Sequence, residues 1–235
     1  MSNLFEVIVR KSYDDDLPTG LYTYLNHYSY LLARAHSDLF SQFQVVGFDG
    51  VLLSTILRAL GVNQARRSFD MTSVARDVFR DAESHGKEIV FVGGEPGISK
   101  LAAKRISQSF PAIKIVGCYS GFFSSDRERN SVIQQIEEMH PQIVVCGMGT
   151  IHQEKFLLDL IASGWSGSGY TCGGFFHQTA KKGVEYYPDW INRLNLRWLY
   201  RIFDEPKLTR RYTVDLVRFV FSFSFDLLRY KLARH

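Results

Sequence analysis

A chain of 235 residues with 46% hydrophobic and 22% charged residues has the composition of a globular protein with a sizeable core, which excludes disordered and fibrous classes. The formal net charge is only +4, but residues 193–235 carry ten Lys and Arg against four Asp and Glu, a net of +6, whereas the first 192 residues carry 18 against 20, a net of −2. Three widely spaced cysteines favour buried, reduced thiols over a disulfide framework or a zinc site.

The chain shows neither a signal peptide nor a membrane-spanning run. Its first residues lack a basic region followed by a long apolar region, and no segment approaches 18 uncharged apolar residues. We therefore expect a cytoplasmic protein without a transmembrane helix.

The first 67 residues have a mixed pattern. Residues 4–10 (LFEVIVR) suggest a strand, residues 21–37 suggest a helix, and residues 43–50 (FQVVGFDG) suggest a strand that ends at Phe48-Asp49-Gly50. The three aspartates at positions 14–16 are interpreted as a solvated turn rather than a metal-binding DxD element, because LPTG follows them directly.

Residues 68–180 alternate short apolar runs with amphipathic stretches of helical length. Four runs end in glycine and are predicted strands: residues 88–94, 113–121, 142–149 and 169–174. Residues 98–110, 127–140 and 152–164 have apolar side chains at three- and four-residue spacing and are predicted helices. This alternation predicts an α/β fold, a Rossmann-like parallel sheet with helices on both faces, whose ligands bind at the carboxyl ends of the strands.

Asp49 is the first candidate for chemistry. It follows an apolar run and precedes a glycine, so a carboxylate at this strand end could serve as a general base in a substrate pocket. Asp-Gly is also a common turn pair, and the sequence alone leaves both interpretations open.

Three glycine pairs stand at predicted strand ends: Gly93 and Gly94, Gly147 and Gly149, and Gly173 and Gly174. One such loop is a packing device, but three on one sheet edge favour a nucleotide or another phosphorylated ligand. In the helix that follows Gly149, Gln153 could hydrogen-bond a sugar or base, and Glu154 is interpreted as a capping residue. The seven histidines show no zinc-binding spacing, so no metal site is predicted.

The C-terminal segment is both apolar and basic, and Pro206 is predicted to separate two helices within it. The polar residues Asp215, Arg218, Ser222, Asp226 and Arg229 follow steps of three and four, so they form one helical stripe. The remaining apolar arc is wider than a helix on a small core needs. A bilayer interface suits this pattern, and a helix packed in the core or in a dimer contact suits it equally.

The order of FDG, RRSFDM, FVGGEPGISKLAAKRI, IVVCGMGTIHQEKF, GGFF and PDWINRLNLRWLYRIFDEPKLTRRY resembles the WecG/TagA/CpsF family of bacterial glycosyltransferases over roughly residues 22–212. The resemblance implies an inverting, metal-independent enzyme without a cofactor. Such an enzyme moves a sugar, often of the N-acetylmannosamine type, from a UDP-sugar donor to a sugar acceptor linked to polyprenyl diphosphate. It would be peripheral at the inner face of the bacterial cytoplasmic membrane and would serve surface polysaccharide biosynthesis.

The resemblance also assigns residues. The family's base falls on Asp49, its downstream arginine on Arg67 and its glutamine on Gln153. The implied substrate-binding residues are Asn26, Asp70, Arg201 and Arg211, the two arginines lying against the donor diphosphate. The implied organisation is a core of residues 1–192 and a helical, membrane-contacting appendage of residues 193–235. No nucleic-acid partner is expected, and a homo-oligomer remains open.

Several positions depart from the family pattern. His177 stands where the family has Asp, Tyr186-Tyr187-Pro188 where it has RAP, Arg197 where it has Glu, and Leu208 where it has Arg. Because these positions lie near the expected donor pocket, the donor sugar stays open. A non-catalytic sugar-nucleotide-binding or scaffold member is the alternative, and a Rossmann-type oxidoreductase is disfavoured because GxGxxG is absent.

Overall fold

The computed structural model describes residues 3–11, 18–59, 66–184, 186–194 and 196–233. Within them, one parallel sheet contains β1 Leu21–Leu25, β2 Val45–Phe48, β3 Glu88–Gly93, β4 Lys114–Tyr119, β5 Ile143–Gly147 and β6 Ser168–Thr171. The strand order is β2-β1-β6-β5-β3-β4. The helices are α1 Leu4–Arg10, α2 His27–Ala33, α3 Ser37–Phe40, α4 Val51–Ala59, α5 Val74–His85, α6 Ile98–Ser109, α7 Asp126–Met139, α8 His152–Ala162, α9 Phe175–Lys182, α10 Asp189–Arg193, α11 Arg197–Asp204, α12 Thr209–Tyr212 and α13 Val214–Leu232.

The sheet separates two hydrophobic cores. Along β3, Ile89 and Phe91 point into the core shared with α5, α6 and α9, whereas Val90 and Val92 point into the core shared with α1, α2, α8 and α13. This alternation follows from the two-residue period of a strand, and burial on both faces explains why the strands are continuously apolar. The fold is therefore the predicted α/β sheet with helices on both faces.

Most of the predicted elements are confirmed. The four glycine-ended runs form β3, β4, β5 and β6, the run ending at Phe48 forms β2, and the three amphipathic stretches form α6, α7 and α8. Pro206 opens a short 3-10 turn between α11 and α12, as predicted for a residue that cannot continue a helix. The aspartates at 14–16 lie outside the described residues.

Two predictions near the N-terminus were wrong. The segment predicted as a strand is helix α1, because its buried residues Leu4, Phe5, Val7 and Ile8 follow a helical spacing and the Asn3 side chain caps it by accepting the Phe5 N–H. The segment predicted as one helix from residue 21 is strand β1 followed by α2. All five β1 residues are buried, so the sequence shows no alternation of buried and exposed residues that would indicate a strand. Asn26 marks the boundary between strand and helix, because it caps α2.

Helix α13 packs on α1 and α2 through a face that includes two acidic residues. The buried positions are Asp215, Phe219, Phe223 and Asp226, so two acidic residues of the predicted polar stripe point inward. Apolar side chains are left on the outside: Val214, Val217, Val220, Phe221, Phe225, Leu228 and Leu232. No helix in the described part of the chain combines the length and hydropathy needed to cross a bilayer.

Candidate active site

A cavity of about 1970 Å³ lies at the carboxyl edge of the sheet. The loops after β1, β2, β3, β5 and β6 form its sides, and α11 and α12 of the C-terminal segment close over it. Most residues singled out from the sequence line this cavity: Asn26, Asp49, Asp70, Gly94, Gly147, Gly149, Gly173, Gly174, Gln153, Arg201 and Arg211. Gly93 lies one residue before Gly94, at the end of β3, and Arg67 is not part of the lining.

Asp49 stands just beyond β2. Its backbone N–H donates to the carbonyl of Leu25 at 2.9 Å, which fixes the strand end, and its carboxylate accepts a hydrogen bond from Arg66 Nη2 at 3.1 Å. Gly50 has a φ of 118°, a conformation that side chains rarely adopt, and it lets the chain turn into α4 directly behind the carboxylate. Asp49 is therefore a turn residue whose carboxylate also faces the cavity.

Arg66 connects two carboxylates. Its Nη2 atom lies 3.1 Å from Asp49 Oδ1 and 3.1 Å from Asp70 Oδ2. The neighbouring Arg67 donates its backbone N–H to the carbonyl of Phe48 at 3.0 Å. Arg66 lines the cavity and Arg67 does not, so the two neighbouring side chains point in different directions. The catalytic role expected of Arg67 stays a prediction, and the geometry adds Arg66.

Asp70 already has protein partners on both carboxylate oxygens. Oδ2 accepts hydrogen bonds from Ser68 at 2.6 Å, Arg197 at 3.0 Å and Arg66 at 3.1 Å. Oδ1 accepts the Thr72 backbone N–H at 2.8 Å and its hydroxyl at 2.6 Å. Burial opposes ionisation, but Arg197, the hydrogen bonds and Arg66 outweigh it and lower the pKa of the Asp70 carboxyl. This carboxylate is best suited to organising the arginines around it.

The C-terminal segment brings two further guanidinium groups to the cavity. Arg201, on α11, has one Nη2 contact at 3.4 Å with Glu205, and its buried Nε has no hydrogen-bond partner in the described part of the chain. The same Nη2 lies 3.9 Å from the position that a Cβ on Gly174 would take. Arg211 stacks over the ring of Tyr28 at 4.2 Å from its centroid. Arg201 is thus held close to the loop after β6, and Arg211 is held at the start of α2. Guanidinium groups in such positions suit a phosphate ligand.

Gln153 and Glu154 belong to a buried hydrogen-bonded chain. The hydroxyl of Thr23 donates to Glu154 Oε1 at 2.8 Å, and Gln153 Nε2 donates to the same atom at 3.0 Å. Gln153 Oε1 accepts the backbone N–H of Gly173 at 3.2 Å, so this side chain holds the loop after β6 in place. Glu154 also accepts the Ile151 N–H at 2.5 Å, which confirms the predicted cap. Burial raises the pKa of the Glu154 carboxyl, against these hydrogen bonds.

The glycines at the strand ends have two structural roles. A Cβ on Gly93 would overlap the carbonyl of Gly147, and a Cβ on Gly147 would lie 2.8 Å from Cys172 Sγ, so these two allow neighbouring strands to end side by side. Gly173 and Gly149 have open space at the Cβ position and face the cavity. Asn26 accepts the backbone N–H groups of Tyr28 and Ser29 at 3.0 Å, so its amide oxygen is used in capping α2.

Arg66 and Glu95 are among the lining residues that were not singled out from the sequence. Arg66 is adjacent to Arg67, the arginine that the resemblance assigned, so the sequence did indicate an arginine at this point. The sequence could not show which of the two lines the cavity. The Glu95 carboxylate forms a hydrogen bond with His177 Nε2, 82 positions away along the chain. No local pattern could have shown that contact. Among the described residues, no group of three or more His, Cys, Asp and Glu side chains is placed to hold a metal ion.

These observations define a class of protein: a doubly wound α/β protein whose ligand cavity lies at the carboxyl ends of parallel strands and presents a carboxylate opposite several arginines.

The comparison with known families agrees with this class. A model described as "Glycosyl transferase WecG/TagA/CpsF family" matches residues 5–234. A curated relative from Shigella boydii, named UDP-Gal:alpha-D-GlcNAc-diphosphoundecaprenol beta-1,4-galactosyltransferase, is 35% identical over 87% of this chain and 86% of its own length. The N-acetylglucosaminyldiphosphoundecaprenol N-acetyl-beta-D-mannosaminyltransferase of Bacillus subtilis (strain 168) is 28% identical over 74% of this chain and 66% of its own length. The chain belongs to the WecG/TagA/CpsF glycosyl transferase family.

Proposed function

We propose that this protein transfers a hexosyl or N-acetylhexosaminyl group, with inversion, from a UDP-sugar to a sugar carried on polyprenyl diphosphate during surface polysaccharide assembly. The observation that carries the proposal is the placement of the Asp49 carboxylate in one cavity with Arg201 and Arg211. The two relatives support it, since both are named as transferases that act on a GlcNAc-diphosphoundecaprenol acceptor. The donor sugar differs between them, so galactose and N-acetylmannosamine are the first donors to test.

In the proposed reaction, the acceptor hydroxyl attacks the anomeric carbon of the donor sugar. Its proton passes to the Asp49 carboxylate, and the bond from the anomeric carbon to the UDP phosphate oxygen breaks. UDP leaves with the electron pair of that bond. One direct displacement inverts the anomeric centre.

The departing diphosphate requires positive charge. Arg201 approaches the loop at Gly174 and Arg211 lines the same cavity, so the two guanidinium groups can neutralise the charge that develops on UDP. We propose that these arginines make the transfer independent of a metal ion. Full activity of the purified protein in excess EDTA is the expected result, and restoration of lost activity by Mg²⁺ or Mn²⁺ would overturn metal independence.

Arg66, which the sequence did not single out, and the implied residues Gln153, Asp70 and Asn26 support the two reacting partners. Arg66 fixes the orientation of Asp49 through their 3.1 Å contact, and Gln153 fixes the loop at Gly173. Asp70 holds Arg66 and Arg197. Asn26 shapes the entrance by capping α2. These are positioning roles, because each of these side chains acts on another group of the protein.

We also propose that the protein is peripheral at a membrane surface. The exposed face of α13 is apolar, and the exposed side chains of Arg218, Arg229 and Lys231 on the same helix suit anionic headgroups. Leu216 of α13 lines the cavity, so a face lying on the bilayer would bring the cavity near lipid-linked acceptors.

The test is UDP release by the purified protein with UDP-galactose or UDP-N-acetylmannosamine and a synthetic polyprenyl-diphosphate-linked GlcNAc. Acceptor-dependent release is expected. Asp49→Asn should reduce it at least about a thousandfold and leave the far-UV circular dichroism unchanged, whereas the exposed control Asp77→Asn should behave as wild type. Nucleotide binding without release for any UDP-sugar would favour the non-catalytic alternative, and near-normal turnover by Asp49→Asn would remove the base role.

A further inference from the structure

Glu95 and His177 form a hydrogen-bonded pair in the cavity, and the proposed reaction uses neither side chain. Glu95 belongs to the loop between β3 and α6, and His177 belongs to the first turn of α9. The side chains are 60% and 45% exposed, and both line the cavity. The histidine ring also lies against the backbone of Gly94, since its Cε1 is 3.2 Å from the position that a Cβ there would take.

The strand order places this pair far from Asp49. Asp49 follows β2 and Glu95 follows β3, and the order β2-β1-β6-β5-β3 puts four strand spacings between the two strand ends. At about 4.8 Å per spacing, the separation is roughly 19 Å. One sugar ring cannot contact both groups. If the transferred sugar lies at Asp49, a different part of the donor lies at Glu95.

The position of Arg201 indicates how the donor would lie between Asp49 and Glu95. Arg201 approaches Gly174 at the end of β6, which is two strands from β2 and two from β3. A diphosphate held there has its sugar on the Asp49 side and its nucleoside on the Glu95 side.

The topology independently favours a nucleoside at the Glu95 end. β3 and β5 are neighbours, but α6, which follows β3, packs on one face of the sheet and α8, which follows β5, packs on the other. Such a reversal opens a crevice between the strand ends, and mononucleotides bind in these crevices in doubly wound folds. Gly93, Gly94 and Gly147 lie at this reversal and keep it free of side chains.

The charge of Glu95 limits what can bind beside it. A carboxylate repels phosphate, but its two oxygens accept hydrogen bonds from a pair of neighbouring hydroxyls. Ribose carries such a pair, whereas the uracil ring and the diphosphate do not.

We propose that Glu95 binds the ribose 2′- and 3′-hydroxyls of the donor nucleotide and that His177 is a positioning residue that holds the Glu95 carboxylate for this contact. The inference rests on the proposed function, because it takes a nucleoside diphosphate sugar as the donor. It also gives the departure at His177 a role in nucleotide recognition.

The experiment measures the dissociation constants of UDP, 2′-deoxy-UDP and 3′-deoxy-UDP by calorimetry. Wild type should bind UDP about tenfold more tightly than either deoxy compound. Glu95→Ala and Glu95→Gln should weaken UDP binding and bring the three constants within about twofold of one another. His177→Ala should reduce the preference for UDP partially. Glu138→Ala, which removes an exposed carboxylate on α7, should leave all constants unchanged.

Three outcomes overturn the inference without touching the proposed function. In the first, wild type turns over UDP-sugar but binds the deoxy compounds as tightly as UDP. In the second, Glu95→Ala keeps the wild-type preference for UDP. In the third, His177→Ala weakens the binding of all three ligands equally. Failure of wild type to bind any UDP compound would instead remove the proposed function. The wild-type comparison of ligands does not depend on how well any variant folds.

Discussion

At the scale of single residues, charged side chains form a continuous chain from helix α11 to the candidate base Asp49. Arg197 contacts Asp70, Asp70 contacts Arg66, and Arg66 contacts Asp49, at nitrogen–oxygen distances of 3.0, 3.1 and 3.1 Å. Each carboxylate lies next to at least one arginine, which offsets the cost of partial burial. Two acids and two arginines therefore fix one another, and the orientation of Asp49 depends on residues that need not touch substrate.

Asp70→Asn should destabilise the protein by about 2 kcal/mol at pH 7, because two arginines lose their common charged acceptor. The folded state lowers the pKa of Asp70 below its ordinary value of 3.8. Its ionised form therefore stabilises the fold above that value, and the contribution is lost as the pH falls through the lowered pKa. The difference in urea unfolding free energy between wild type and variant should shrink below about pH 4. A constant difference down to pH 2 would contradict this assignment, and Asp77→Asn is the exposed control.

Arg66→Ala should lower kcat/KM about 30-fold, which corresponds to about 2 kcal/mol, because Asp49 loses its charge-assisted contact. Arg67→Ala should have a smaller effect, since Arg67 lies outside the cavity lining. The measurement is kcat/KM for the two variants by steady-state kinetics, and each variant serves as the control for the other. A larger loss for Arg67→Ala would restore the assignment made from sequence.

How far the site could be predicted differs from residue to residue. Asp49 and the glycine pairs could be found because a strand end is a local pattern and parallel strands end at one edge. The choice between Arg66 and Arg67 could not be made, because it depends on which side of an extended segment each side chain takes. The pairing of Glu95 with His177 joins the loop before α6 to the first turn of α9 and depends on the packing of α6 against α9, which no sequence period encodes.

At the scale of elements, α11 is attached to the core through its first residue. Arg197 donates to Asp70 at 3.0 Å and to the Thr72 hydroxyl at 2.6 Å, and it stacks on Tyr187 at 4.9 Å from the ring centroid. Arg201 follows four positions later, so both arginines project from the same face of the helix. The attachment at Arg197 thus fixes the position of Arg201 over the cavity.

Arg197→Ala should raise the KM for the UDP-sugar about tenfold, or about 1.4 kcal/mol, with a smaller change in kcat, because α11 then holds Arg201 less firmly. Arg197→Lys should recover part of the loss, since lysine keeps the charge but lacks the planar fork. Arg193→Ala removes an exposed arginine from the preceding helix and is the matched control. Equal effects of Arg193→Ala and Arg197→Ala would mean that general positive charge, not this attachment, matters.

Elements that carry a strong local sequence signal were predicted correctly, and elements that lack one were not. The amphipathic helices α6, α7 and α8 and the glycine-ended strands β3, β5 and β6 each carry a strong local signal. β1 is buried on both faces, and only Asn26 separates it from α2, so the sequence shows no turn between the two elements. The capping box at Asn26, in which Ser29 bonds back to the Asn26 backbone, was the overlooked boundary.

At the scale of the whole molecule, an ion pair between the buried Asp226 and the partly exposed Arg34 orients α13 and so decides which of its faces meets the solvent. Asp226 accepts two hydrogen bonds from Arg34, at 2.7 and 2.8 Å, and one from the Tyr30 hydroxyl at 2.8 Å. This contact with α2 turns the acidic stripe inward. Phe219 and Phe223 join the same core as α1 and α2, so removing residues 193–235 would also remove part of that core. The division at residue 192 stays a prediction, and point substitutions test the role of α13 more cleanly than truncation.

The outward face of α13 provides the last prediction. Phe221 and Phe225 are 75% and 54% exposed, and each buried phenylalanine contributes about 1.5–3 kcal/mol when it leaves water. The double variant Phe221→Ser, Phe225→Ser should therefore bind vesicles containing phosphatidylglycerol at least about a hundredfold more weakly in a sedimentation assay. It should keep its turnover of a water-soluble, short-chain acceptor, because the cavity is untouched.

Ile161→Ser, on α8, removes a 40% exposed apolar side chain outside α13 and should leave vesicle binding unchanged. The control matters because any loss of surface hydrophobicity weakens non-specific adsorption to lipid. If the double variant binds vesicles as wild type does but changes from dimer to monomer in analytical ultracentrifugation, the face of α13 contacts a second copy of the chain. The membrane would then have to reach the cavity from another side. The basic residues of α13 would no longer account for membrane binding.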